Sequence, residues 1–240
     1  MSIFDEIKSK YMNGDVLRRL LIVNCGMFVL ILLTDITFTL IGVGDTGYAA
    51  MLFRFPWSTL ALALRPWTPI TSLFTSWGLW HFIFNMLILY WMGGIFLRYF
   101  TNTHLRGLYI IGGFAGMIGF TCSMLIPFFR LKAWTETMPM ASACILALAV
   151  ALAFREPDHQ ETIPVIGPVK IKYIVIALAL IDIALFPRTN PATDLAHAAA
   201  AASGYLFNRL LGKGIDITRP VTAFFVWING FFTRKRLEKK

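Results

Sequence analysis

Ser142, His197, His81 and Asn85 are the side chains of this chain whose types and placement could do covalent chemistry. Ser142 sits in Met-Pro-Met-Ala-Ser-Ala-Cys-Ile-Leu-Ala-Leu-Ala-Val-Ala-Leu-Ala, residues 138–153, which reads as an apolar helix starting after Pro139 with one hydroxyl about a turn in. Taken singly, each residue has a structural reading. A serine on such a helix usually bonds back to the preceding turn, a buried histidine usually bonds a neighbouring carbonyl, and a polar pair such as His81 and Asn85 can tie helices together. Taken together they supply acyl transfer. Ser142 would be the nucleophile, and His197 the base that takes its proton and returns it to the leaving amine. His81, Asn85 and the backbone N–H of Ser142 would stabilise the oxyanion. Asn85 follows His81 at i+4, so the two share a helix face.

The elements that position these groups lie in lipid. The 240 residues are 57% hydrophobic and 15% charged, and the mean hydropathy is +0.66. A water-soluble fold would have to hide far more apolar surface than one core can hold, so the bilayer must be the solvent. Cys25, Cys122 and Cys144 all fall inside apolar segments and form neither a disulfide framework nor a zinc spacing. No metal and no cofactor is expected. Ligation of a haem by the two intramembrane histidines would leave the serine unexplained.

Hydropathy and punctuation predict an all-α, polytopic membrane protein with six transmembrane helices at residues 20–43, 77–100, 107–129, 139–154, 169–186 and 194–211. Residues 1–17 read as an amphipathic leader, 18–214 as the membrane domain and 215–240 as a basic tail. The stretch 44–77 carries Trp57 and Trp67 between Pro56, Pro66 and Pro69, which fits a loop dipping into the interface. A polar turn with His104 and Arg106 joins spans two and three, and Thr193 or Asp194 is placed to cap span six. Gly112, Gly113, Gly116 and Gly119 give span three a face for close helix approach. His104 and His159 fall in loops and need no special role; Asp35 and Asp182 lie within about two turns of outer helix ends, close enough to reach the interface.

Lys and Arg divide 17 to 5 between the two sides, so the +9 net charge is topological. The bias puts both termini in the cytoplasm, which fits an integral protein of a bacterial inner (plasma) membrane. No nucleic-acid partner is implied, whereas membrane lipid is, through the basic tail. With that topology spans two, four and six all start outside. His81, Ser142 and His197 then sit roughly 4–6 Å below those starts, at one depth.

The run Arg65-Pro66-Trp67-Thr68-Pro69-Ile70-Thr71-Ser72-Leu73-Phe74, with His81-Phe82-Ile83-Phe84-Asn85-Met86-Leu87 and Gly93-Gly94, resembles the second helix of the rhomboid family of intramembrane serine proteases. Ala141-Ser142-Ala143 is similar to its nucleophile motif and Ala196-His197 to its base, and the likeness covers about residues 18–214. It implies a rhomboid-like six-helix bundle, a Ser142–His197 dyad, no metal, and transmembrane proteins as substrates. The chain departs from the family pattern at several points. Met140 and Ala143 replace both glycines of Gly-x-Ser-Gly, and Ala199 and Ala200 replace the Gly-Gly after the histidine. Leu146 stands for an aromatic, Ser76 for a second histidine, and Leu97 for an acidic residue. A methyl at position 143 should crowd the approach of substrate. Two readings follow from different classes: a hydrolase, or a catalytically inactive rhomboid-like protein that binds transmembrane clients. A channel or transporter is disfavoured by spans without paired charges. Substrate and oligomeric state stay open.

Overall fold

A computed structural model describes residues 15–42, 48–133, 135–163, 167–185 and 191–237. The chain is mostly helical, with helices at all six anticipated positions. These are α1 (Val16–Leu40), α5 (Leu79–Tyr99), α6 (Asn102–Leu125), α8 (Ala141–Arg155), α9 (Ile171–Leu185) and α10 (Pro191–Leu211). Of these, α1, α5 and α6 are long and apolar enough to cross a membrane by themselves. At 15 residues, α8 reaches only about 22 Å, short of the roughly 30 Å hydrocarbon layer.

Helix starts follow local capping. The Asp15 carboxylate accepts from the Arg18 N–H at 3.2 Å, so α1 begins at Val16 rather than residue 20 and absorbs the end of the expected leader; residues 1–14 lie outside the described residues. Thr101 caps α6 by accepting from the His104 N–H at 3.3 Å. His104 and Arg106 are therefore helical and not in a turn. Span six begins at Pro191, a residue pre-set for the first helical position; Thr193 and Asp194 therefore fall inside the first turn and not at the cap position before it.

The described part of the expected interfacial loop, residues 48–77, is built of short regular elements. These are α2 (Tyr48–Phe53), α3 (Thr59–Leu64), α4 (Thr68–Thr71), a 3-10 turn (Ser72–Phe74) and strand β1 (Phe55–Pro56). The prolines break the stretch into short pieces without unfolding it. A short helix, α7 (Pro127–Lys132), and strand β2 (Thr137–Met138) follow α6. Pairing of Phe55 with Met138 and Pro56 with Thr137 ties the α1–α5 connection to the segment that enters α8. A second hairpin, β3 (Gln160–Ile163) with β4 (Gly167–Lys170), lies between α8 and α9. His159, beside it, has a bracing role. Its Nδ1 is 2.7 Å from the Tyr99 hydroxyl and its Nε2 3.0 Å from Glu161, which also accepts from Arg98 at 2.8 Å.

At the centre α6, α8 and α10 pack against one another. Most of α8 is buried on all sides, as befits a helix apolar all round. The glycine face of α6 allows this. Gly112 lies against Ala147, Gly113 against Leu73 and Cys144, Gly116 against Ala143, and Gly119 against Ala199 and the Leu195 carbonyl. Beyond the core, α11 (Arg219–Leu237) makes most of the expected tail helical. It is held where Thr218 packs on Gly107 and where the Arg106 guanidinium lies 4.4 Å over the Phe225 ring.

Candidate active site

Ser142 is the second residue of α8, so its hydroxyl is in the first turn rather than a full turn in. Position matters here because the first backbone N–H groups of a helix have no intrahelical acceptor and carry the positive end of its dipole. Upstream, the Met140 N–H donates to the Ser72 carbonyl at 2.8 Å, and the Cys144 N–H closes the first helical bond to Met140 at 3.0 Å. Ala141, Ser142 and Ala143 are left with amides at the mouth of the helix.

Ser142 Oγ lies 3.0 Å from His197 Nε2, across the α8–α10 interface. Both side chains are buried, at 7% and 8% exposure. His197 is the seventh residue of α10, whereas His81 is the third of α5. Equal insertion from the helix starts is thus not what aligns them. The helices begin at different heights, and α10 starts a turn earlier than its polar pattern predicts.

Why the helices approach so closely is legible at Gly204, two turns below His197. A Cβ there would run into the backbone of Ala147, carbonyl included. The contact on α8 is therefore the Ala147 backbone, while the Ala147 methyl lies against Gly112 of α6. Ala200 is fully buried in the same seam, whereas Ala198 is exposed.

Asn85 joins Ser142 in lining a cavity of about 40 Å³ between α5, α8 and α9, closed by Ile88, Ile145, Leu146, Ala149 and Leu178. Such a space holds about three or four waters, at roughly 10–15 Å³ each. His81, almost fully buried, sits one turn above Asn85 and is not part of that lining. The Trp77 N–H donates to His81 Nδ1 at 3.2 Å. In neutral His81 the proton is then on Nε2, which makes that nitrogen a donor. Asn85 Nδ2 donates to Ser76 Oγ at 3.2 Å and lies 3.4 Å from His81 Nδ1.

Sequence reasoning missed the frame behind these residues. Asn24 of α1 donates to the Tyr109 hydroxyl at 3.1 Å, and Tyr109 donates to the Leu73 carbonyl at 2.9 Å; both side chains are fully buried. The signal was present as two polar groups inside apolar spans. Arg54 is a second omission. Its guanidinium donates to the Trp77 carbonyl at 3.2 Å and lies 4.6 Å over the Trp77 ring. Burial pulls its pKa well below the ordinary guanidinium value, to about 10, against the opposing charge of Asp35. Asp35 itself accepts from the Ala49 N–H at 3.3 Å; the Asp182 side chain lies outside the described residues.

The methyl of Ala143 does not face the cavity. It is fully buried, and a Cβ on Gly116 would come within 3.0 Å of it. The expected crowding of substrate by this methyl is therefore replaced by packing against α6.

A family profile described as the Rhomboid domain matches residues 63–214, from α3 through α10. The chain belongs to the rhomboid family. No curated protein matches the sequence. With its apolar helices, the rhomboid domain makes this an integral membrane protein.

Proposed function

We propose that this rhomboid-family chain is an intramembrane serine endopeptidase cutting peptide bonds in or near transmembrane segments of other proteins. The observation that carries the reading is the 3.0 Å approach of Ser142 Oγ to His197 Nε2, beside a cavity roomy enough for water. His197 takes the Ser142 proton as the oxygen attacks the scissile carbonyl. Negative charge then develops on the carbonyl oxygen, for which the Ser142 N–H, the Asn85 amide and the His81 Nε2–H are the donors. One such donor is worth roughly 3–4 kcal/mol of barrier in other proteases. The leaving amine takes the proton from His197, and water, activated by the same imidazole, releases the acyl group. No cofactor enters this scheme.

In this reading the short α8 and α9 and the less apolar α10 complete a six-span bundle, with both termini on the cytoplasmic side of a bacterial inner membrane. A 17-to-5 bias of Lys and Arg supports that orientation. The loss of both glycines around Ser142 favours a second reading, a catalytically inactive protein that binds transmembrane clients.

Incubation with a fluorophosphonate probe in detergent separates the two. The protease reading expects labelling of Ser142, cleavage of a transmembrane model substrate, and loss of both in folded Ser142→Ala and His197→Ala variants. Absence of labelling in the folded wild type, or cleavage by purified Ser142→Ala, sinks it.

A further inference from the structure

A second cavity, about 210 Å³, opens between the C-terminal half of α1, α2 and the turn that enters α5. Its charged wall is Asp35 and Arg54, and its apolar wall is Phe28, Ile31 and Leu32 of α1 with Leu79. Arg54 is 8% exposed. One of its N–H groups donates to the Trp77 carbonyl, but its buried Nε meets no acceptor among the described residues. Buried donors rarely persist without a partner, so this one calls for an acceptor that the described residues do not supply.

Water is a poor answer at this size. The space is more than ten times what one molecule needs, and its wall, mostly apolar apart from Asp35, Arg54, Thr75 and Ser76, would leave most waters short of partners. The apolar wall also continues outward, since Leu32 is 48% exposed and Leu79 55% exposed on the surface that faces lipid in a membrane protein. Asp35 lies five residues before the end of α1, roughly 7.5 Å along the axis, near where headgroups meet acyl chains. The two charges cancel, so the cavity complements a group that is itself neutral overall but carries both signs. A guanidinium matches phosphate oxygens in geometry as well as charge. A carboxylate has about four acceptor sites and can take an ammonium while keeping the Ala49 N–H.

We propose that this cavity binds a zwitterionic phospholipid of the phosphoethanolamine type. Its phosphate meets Arg54, its ammonium meets Asp35, and the upper part of one acyl chain runs along Phe28, Ile31 and Leu32. The lipid would rest on the turn that orients the candidate oxyanion donors, because Arg54 holds the Trp77 carbonyl, the Trp77 N–H holds His81, and Ser76 holds Asn85. The binding claim itself does not rest on catalysis.

Native mass spectrometry of the full chain, stripped of lipid by detergent exchange, tests it with four probes. These are dioleoylphosphatidylethanolamine, dioleoylphosphatidylglycerol, dioleoylglycerol and soluble glycerophosphoethanolamine. The expected result is one phosphatidylethanolamine retained per chain, at least about fivefold over the phosphatidylglycerol and the dioleoylglycerol. Glycerophosphoethanolamine should fail to displace it at equal concentration. Arg54→Gln should lower retention by about tenfold, and Asp35→Asn should erase the preference over phosphatidylglycerol while binding persists. Headgroup selectivity of the wild type needs no variant, so a folding defect in Arg54→Gln does not blunt the test. Equal retention of dioleoylglycerol overturns headgroup recognition. Phosphatidylglycerol binding as well as the ethanolamine lipid overturns the role of Asp35. Mole-for-mole displacement by the soluble headgroup overturns the lipid assignment.

Discussion

Substituting Gly204 tests how the Ser142–His197 geometry is held, without touching either residue. A methyl at 204 would be driven into the Ala147 carbonyl, a backbone atom that no rotamer change can move aside. Ordinary carbon contacts need about 3.5 Å, so α10 must retreat from α8 by roughly 1 Å. His197 lies seven residues away, two turns up the same rigid helix. A retreat of that size lengthens the 3.0 Å Ser142–His197 approach beyond the 2.6–3.2 Å range for proton transfer. Misplacement by about 1 Å costs on the order of a hundredfold, or close to 2.7 kcal/mol of barrier. Stability should fall less, because about 1–3 kcal/mol of overpacking is partly offset by the roughly 1 kcal/mol that alanine gains over glycine in a helix. The assay is kcat/KM on a fluorogenic transmembrane substrate, with Tm followed in parallel. Gly112→Ala is the internal control, since its new methyl clashes with the Ala147 Cβ alone, the nearest backbone atoms lying at an ordinary 3.5 Å. Ala147→Gly should rescue Gly112→Ala and fail to rescue Gly204→Ala. Wild-type turnover in folded Gly204→Ala, or rescue of both variants alike, refutes the reasoning.

Ala143→Gly should lose about 1 kcal/mol of stability through a small cavity against Gly116 and a weaker helix, with no gain in kcat/KM; faster cleavage would show that the methyl obstructs substrate after all. Tyr109→Phe should cost about 1–3 kcal/mol by stripping partners from the Leu73 carbonyl and Asn24, read as a lower Tm in detergent. Asp216, in the turn before α11, is held below the ordinary carboxylate range although burial opposes this, because Thr218 donates two hydrogen bonds to it and His104 lies 3.4 Å away. A lowered folded pKa means its contribution is present at neutral pH. It is lost as pH falls through the usual carboxylate range to that lower value, so limited proteolysis near residue 216 should rise on acidification in wild type and be raised already at neutral pH in Asp216→Ala. Cysteine at Thr135 should react with an impermeant maleimide from outside intact cells and cysteine at Gln160 should not; the reverse pattern inverts the proposed topology.

The membrane character and the positions of the helices were legible in the sequence, which also put forward Ser142, His197, His81 and Asn85 as candidates. Each depends on local quantities: apolar length, proline and glycine punctuation, and the rarity of polar groups in lipid. The glycine face of α6 was legible for the same reason, since lipid gives helices no hydrophobic drive to associate and small residues must supply the contact. Heights were not. Ser142 proved to be in the first turn of α8 and His197 two turns into α10, because helix starts depend on caps and on Pro191, with end effects of a few residues that shift depth by several ångströms. Small residues under His197, Gly204 among them, were legible as a packing face, but not that Gly204 meets Ala147 rather than Ala149 or Ala153, that the Ala143 methyl turns toward Gly116, or that Asn24 reaches Tyr109 across 85 residues. Those are choices of rotation about a helix axis. Two nearly uniform apolar helices have little sequence preference for one rotation over another, and the choice is made only when backbones meet where glycine lets them, with each buried polar group finding its partner.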